Sequence, residues 1–60
     1  MNYEQITTDL VKKFGSIRRA SKECDISKTT FFELYKGKTV NPHINTHFKL
    51  INTWEKSREK

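Results

Sequence analysis

Apolar positions recur at helical spacing in four separate runs along the chain, and no stretch shows the strict apolar–polar alternation of a half-buried strand. In the first run Tyr3, Ile6, Leu10 and Phe14 fall on one face, which predicts a helix over about 3–14. Asn2 is placed to cap it, Gln5 three residues later completes a capping-box pattern, and Gly15 is placed to end it. The second run predicts a short helix over 17–24, capped by Ser16. Its inward face is Ile17, Ala20, Ser21 and Cys24, and its outward face carries Arg18, Arg19 and Lys22. The small residues at 20 and 21 allow another helix to cross closely. Asp25 follows as the turn residue, because Asp tolerates a left-handed backbone better than most residues other than glycine.

Ser27 caps a third helix over 28–36, with Phe31, Leu34 and Tyr35 as its buried stripe and Gly37 as its stop. Its other side presents Thr29, Phe32, Glu33 and Lys36, with Lys28 at the edge. Residues 38–43 read as an extended loop pinned by Pro42, and a fourth helix is expected over about 44–57. Ile44, Phe48 and Ile51 are its expected inner stripe, with Leu50 and Trp54 on an adjoining flank. The whole chain, 1–60, thus predicts an all-α fold: one compact four-helix domain in which helices 17–24 and 28–36 form a helix-turn-helix. The fourth helix has more apolar face than one small partner surface can cover. Leu50 and Trp54 are therefore the expected homodimer contact. The alternative for Trp54 is to close over the first helix, against Tyr3 or Ile6.

Charge changes the picture more than composition does. Charged residues make up 32% of the chain, nearly matching the 33% that are hydrophobic, and the net charge is +5. Residues 12–38 hold eight basic side chains against Glu23, Asp25 and Glu33, so 8 − 3 = +5 falls in the middle of the chain. Such a basic middle suits a polyanionic partner, since each phosphate contact releases condensed counterions; the alternative is a solvated surface that keeps the protein soluble.

Other chemistry finds little to build on. Cys24 is alone, so an internal disulfide is excluded, which fits a reducing cytosol. No apolar run approaches the ~18 residues of a membrane span, and no basic-then-apolar leader marks the chain for export. His43 and His47 stand four apart, a spacing that binds zinc in some proteins, but no acidic partner is placed to complete a site. A loop histidine near phosphate and a partly packed histidine are the better readings, and no metal is expected. No nucleophile, base and orienting group assemble, and no phosphate-cradling glycine loop is present. The expectation is a protein that is not an enzyme and needs no cofactor.

Residues 20–37, ASKECDISKTTFFELYKG, resemble the helix-turn-helix of Cro/C-repressor-like (XRE-type) transcriptional regulators. That pattern has a small pair, a two-residue spacer, an apolar residue, a turn residue, an apolar residue and a Ser-led recognition helix. Here these are Ala20 and Ser21, then Cys24, Asp25, Ile26 and Ser27, with Phe31 and Leu34 at the buried positions of the recognition helix. The run Gly37, Lys38, Thr39, Val40, Asn41, Pro42 also resembles the linker of that family into its next helix. The resemblance covers about 16–51. Asp25 stands where glycine is usual, and Ile17 where a polar residue, often Gln, opens the second helix and contacts phosphate in many relatives.

The resemblance implies a small phage- or prophage-type regulator that binds double-stranded DNA, most simply a repressor. It would act as a homodimer on a short palindromic operator, in the cytoplasm of a bacterial host and associated with its nucleoid. Helix 27–36 would enter the major groove, where Lys28 or Lys36 can donate to guanine O6 and N7. Thr29 can meet a thymine methyl or an acceptor, Phe32 can make an apolar contact with thymine methyls, and Glu33 can accept from cytosine N4. The alternative for Phe32 is to pack under loop 38–43. Arg18, Arg19, Lys22, Ser27, Lys38, Asn41 and His43 are the expected phosphate contacts on either side, fixing register without reading sequence. Two alternatives stay open: a protein-interaction module of the same fold, such as an anti-repressor, and an architectural or recombination accessory factor that bends DNA. RNA is disfavoured, since no aromatic pair is set on a sheet for base stacking.

Overall fold

A computed structural model describes residues 2–39 and 41–58, within which the chain forms four helices and no strand. They are α1 (Tyr3–Phe14), α2 (Ile17–Cys24), α3 (Lys28–Tyr35) and α4 (Ile44–Arg58). A tail expected to fray from Glu55 to Lys60 is instead helical as far as Arg58; Glu59 and Lys60 lie outside the described residues, as do Val40 of the linker and Met1. The all-α four-helix architecture is the one the apolar spacing predicts, and the boundaries differ from expectation by one residue at the ends of α3 and α4.

Local chemistry sets those boundaries. Asn2 accepts the Gln5 N–H at 3.1 Å, Ser16 accepts that of Arg19 at 3.1 Å, and Ser27 accepts that of Thr30 at 3.2 Å. Each removes one of the orphan donors that open a helix. Gly15 ends α1 in a left-handed conformation, φ 96°, returning its N–H to the Val11 carbonyl at 2.7 Å. After α3 the chain turns through Gly37, φ 77°, and a Cβ built there would meet Glu4 Oε1 at 2.7 Å. Glycine is needed here for its φ, and its bare backbone lets the α3 terminus lie against the first turn of α1.

The core is small. Ile6, Leu10, Ala20, Cys24, Phe31, Leu34 and Leu50 are buried, and Tyr3, Val11, Phe14, Ile17, Ile26, Ile51 and Trp54 pack around them. Each fully buried large side chain contributes on the order of 1.5–3 kcal/mol, so few can be lost from a chain of this length. α1 packs against all three other helices, whereas α4 packs on α1 and α2 and, among the described residues, not on α3. Two buried polar side chains are satisfied locally: Thr7 donates to the Tyr3 carbonyl at 2.7 Å and Ser21 to that of Arg18 at 2.9 Å.

Helix α4 is rotated from the expected orientation. Leu50 is 0% exposed and belongs to the core, while Ile44 and Phe48, the expected inner stripe, are 57% and 56% exposed. Leu50 is thereby used up within one chain and is unavailable as a dimer contact. Trp54, its expected partner in that contact, also packs against the core, and its indole N–H is buried without an acceptor among the described residues. The reason lies in the helical period. Positions 50 and 54 form one row, and 44, 48 and 51 form another about 100° away; α1 and α2 cover the first.

Candidate nucleic-acid interface

The exposed sides of α2 and α3 carry Arg18, Arg19, Lys22 and Lys28, and the turn between the helices sets how they lie. Ala20 and Ser21 bring no bulk to the crossing of α2 and α3, and both are buried there. Asp25 adopts φ 59°, ψ 41°, donating its N–H to the carbonyl of Lys22 at 3.1 Å, while Ile26 donates to that of Ser21 at 3.0 Å. These two bonds close the C-terminus of α2 in the way glycine usually does and point α3 away at once. Lys49 of α4 braces the turn. Its ammonium donates to the Asp25 carbonyl at 3.3 Å and lies 3.5 Å from the Asp25 carboxylate.

Phe31 and Leu34 anchor α3 in the core, so the opposite side must face outwards. Lys28, Thr29, Phe32 and Lys36 are exposed there, and Glu33 is half-buried beside them. Phe32 is 38% exposed, and the Lys36 ammonium stands 5.6 Å from its ring centroid. That exposure leaves the ring presented to solvent under its cation. The Glu33 carbonyl accepts the N–H groups of Lys38 at 2.9 Å and Thr39 at 3.4 Å, tying the following loop to the end of α3.

Arg18, Arg19 and Lys22 are exposed on α2 and, with Ser16, line a shallow hollow of about 350 Å³. In the loop after α3, Lys38, Asn41 and His43 are exposed. Exposed cations therefore precede and follow α3 along the chain. Ser27 differs from the others. Its hydroxyl accepts from the Thr30 N–H and donates to Thr30 Oγ1 at 2.8 Å, so its one proton is committed to capping. Any contact it makes to an anion falls to its backbone.

The two histidines have separate duties. His43 Nδ1 accepts the Asn45 N–H at 3.2 Å, capping α4, while His47 Nδ1 lies 2.8 Å from the Tyr3 hydroxyl. No group of three or more His, Cys, Asp or Glu among the described residues is close enough to hold a metal ion. Cys24 is buried, and desolvation pushes its thiol above the ordinary 9.0. A hydrogen bond with Thr53 opposes that rise, and the Glu23 carboxylate adds to it. A thiol held protonated and covered is inert packing. No described helix is long and apolar enough to cross a membrane.

Lys49 and the Tyr3–His47 pair did not stand out in the sequence. Lys49 carries no local signal, since its partner Asp25 is 24 residues away. Tyr3 reads as an ordinary member of an apolar stripe, and nothing in the spacing sets its hydroxyl against a histidine 44 residues later. Comparison of the chain with protein-family models, with curated proteins and with solved structures found no match.

Proposed function

We propose that the protein binds double-stranded DNA in a sequence-specific manner and regulates transcription, in the manner of the Cro/C-repressor-like regulators that its helix-turn-helix resembles. One observation carries the proposal: α3 is anchored by Phe31 and Leu34 and turns Thr29, Phe32 and Lys36 outwards, with exposed Arg18, Arg19 and Lys22 on α2 before it and exposed Lys38 in the loop after it. An α-helix is about 10–12 Å across with its side chains and fits the ~12 Å width of the major groove. Within the groove Lys28 or Lys36 donates to guanine, Thr29 meets a thymine methyl or an acceptor, Phe32 meets thymine methyls, and Glu33 accepts from cytosine. Arg18, Arg19, Lys22, Lys38, Asn41 and His43 hold the flanking phosphates.

One such module reads one half-site, so two copies on a palindrome, with half-sites about one helical turn apart, give useful affinity. In this reading the bound protein acts by occluding a promoter, and the setting is a bacterial cytoplasm, on the nucleoid. Selection of bound duplexes from a randomised pool at near-physiological salt tests this directly. An enriched palindrome supports the proposal. Binding with no enriched motif, fading uniformly as salt rises, overturns it.

The exposed Phe32 ring favours one second reading, a protein-interaction module of the same fold, because an aromatic ring under a cation also suits a protein partner. That reading predicts weak, sequence-blind binding in the same selection.

A further inference from the structure

The last turns of three helices meet around a cleft. Tyr3 touches His47 near the start of α1 and α4, and Lys13 and Phe14 share a cleft wall with Lys56 and Ser57 near their ends. The two helices therefore run side by side in the same direction. Glu23, in the last turn of α2, and Thr53 of α4 complete the lining. The cleft has a volume of about 340 Å³, and α3 contributes nothing to its walls.

Its lining carries charge of both signs. Lys13 and Lys56 supply two ammonium groups and Glu23 one carboxylate; all three are exposed, and none makes an ion pair among the described residues. The two hydroxyls keep their protons within the protein. Thr53 bonds to the Lys49 carbonyl at 3.0 Å and Ser57 to that of Trp54 at 2.7 Å, so each offers the cleft only lone pairs. The last turns of α1, α2 and α4 add the negative ends of three helix dipoles. A purely anionic ligand would meet Glu23, these lone pairs and the helix ends. A purely cationic one would meet the two lysines. A ligand with both signs avoids both conflicts.

We infer that the cleft binds a free acidic amino acid. Such a molecule has two carboxylates and one ammonium, the reverse of the two ammonium groups and one carboxylate in the lining. Its carboxylates pair with Lys13 and Lys56, whose flexible stems let each ammonium reach its partner. Its ammonium turns to the Glu23 carboxylate and to the Thr53 and Ser57 oxygens, and its methylenes lie on Phe14. A ligand of about ten heavy atoms, held by exposed and screened charges, binds at about 1–10 mM rather than at micromolar concentration. The inference is independent of α3 and stands whether or not that helix reads DNA.

Amide NMR of the isotope-labelled full chain, titrated with L-glutamate at constant pH and ionic strength, gives the test. Saturable shifts, half-complete at about 1–10 mM, are expected at Lys13, Phe14, Glu23, Thr53, Lys56 and Ser57 and not on α3. Glutarate, which has both carboxylates but no ammonium, binds about 2- to 5-fold more weakly, and Glu23→Gln removes that preference. Lys13→Gln and Lys56→Gln each weaken L-glutamate by about 2- to 5-fold. All three substituted side chains are exposed, so the variants keep the fold. Shifts that do not saturate by about 100 mM overturn the inference, because no site of the expected strength exists. Shifts centred on Arg18, Arg19 and Lys22, and equal for L-glutamate and glutarate, also overturn it, leaving only general anion binding. A preference for L-glutamate that survives Glu23→Gln overturns the assigned pairing of charges.

Discussion

The hydroxyl of Tyr3 lies 2.8 Å from Nδ1 of His47, joining the first turn of α1 to the first turn of α4 across 44 residues of chain. Their rings also meet edge-on, with centroids 5.9 Å apart and planes at 88°. With the ring proton on Nε2, the hydroxyl donates to Nδ1. Tyr3→Phe keeps the aromatic contact and removes the bond, so it should cost about 0.5–1.5 kcal/mol. Thermal unfolding reads this as a fall of several degrees in Tm, at about 4–8 °C per kcal/mol for a domain this small. A variant as stable as the parent would show the bond to be neutral.

The turn between α2 and α3 gives a prediction about backbone strain. Asp25 stands at φ 59°, where a residue with a Cβ costs about 1–2 kcal/mol, somewhat less for Asp. Asp25→Gly relieves that strain but loosens the unfolded chain by about 0.4–1 kcal/mol and gives up the Lys49 ion pair. The pair is worth little: its side chains are 48% and 90% exposed. The Lys49 bond to the backbone carbonyl survives in the variant. Asp25→Gly should therefore stay within about 0.5 kcal/mol of the parent. Asp25→Val should fall by at least about 1–2 kcal/mol, because a β-branched side chain is poorly tolerated at this φ. Urea midpoints of the three proteins at equal m check the order.

The same turn shows how far the sequence could be read. Caps at Asn2, Ser16 and Ser27, the stop at Gly15 and the small pair Ala20–Ser21 are local signals, and local signals carried the boundaries of α1, α2 and α3. Helix α4 was legible as a helix but not in its rotation. Its two apolar rows, Leu50 with Trp54 and Ile44 with Phe48 and Ile51, are both hydrophobic, and the choice between them is made by α1 and α2, not by α4. On the basic face, residue types and spacing placed Lys28, Thr29, Phe32 and Lys36 on the outside of α3, where they lie. That the Ser27 hydroxyl is committed to Thr30, and that Lys49 reaches back to Asp25, required the packed structure.

Cys24 links burial to pH. Desolvation raises its thiol above the ordinary 9.0, so the folded state holds its proton longer than the unfolded state does. The contribution is fully present below the unfolded value and is lost as pH rises from there through the folded value. Stability should thus fall above about pH 9 more steeply in the parent than in Cys24→Ala. Comparing the two slopes removes the lysine titrations common to both. At pH 8, a thiol reagent should modify Cys24 at a rate that follows global unfolding and accelerates with urea. Rapid labelling of the native protein would mean that the α2–α4 contact opens locally.

Under the proposed function the α2 cations and the exposed ring of Phe32 would make separable contributions to binding. Arg19 and Lys22 are exposed on α2, and in that reading they contact phosphate. Each substitution by alanine should weaken all duplexes alike and reduce the slope of log K against log salt by about 0.9. Phe32 carries no charge, so Phe32→Ala should leave the salt slope unchanged while flattening the preference between a site with thymine at the contacted position and one without. A thymine methyl contact amounts to one good apolar pairing, so a loss of discrimination of about 1–3 kcal/mol is the upper range. The ring is 38% exposed and its removal leaves no large cavity, so the variant should fold with little loss of stability. Titrations of selected and scrambled duplexes at three salt concentrations separate the two effects. If Phe32→Ala keeps the full preference, the ring is not a base contact, and Lys28, Thr29 and Lys36 must carry the reading alone.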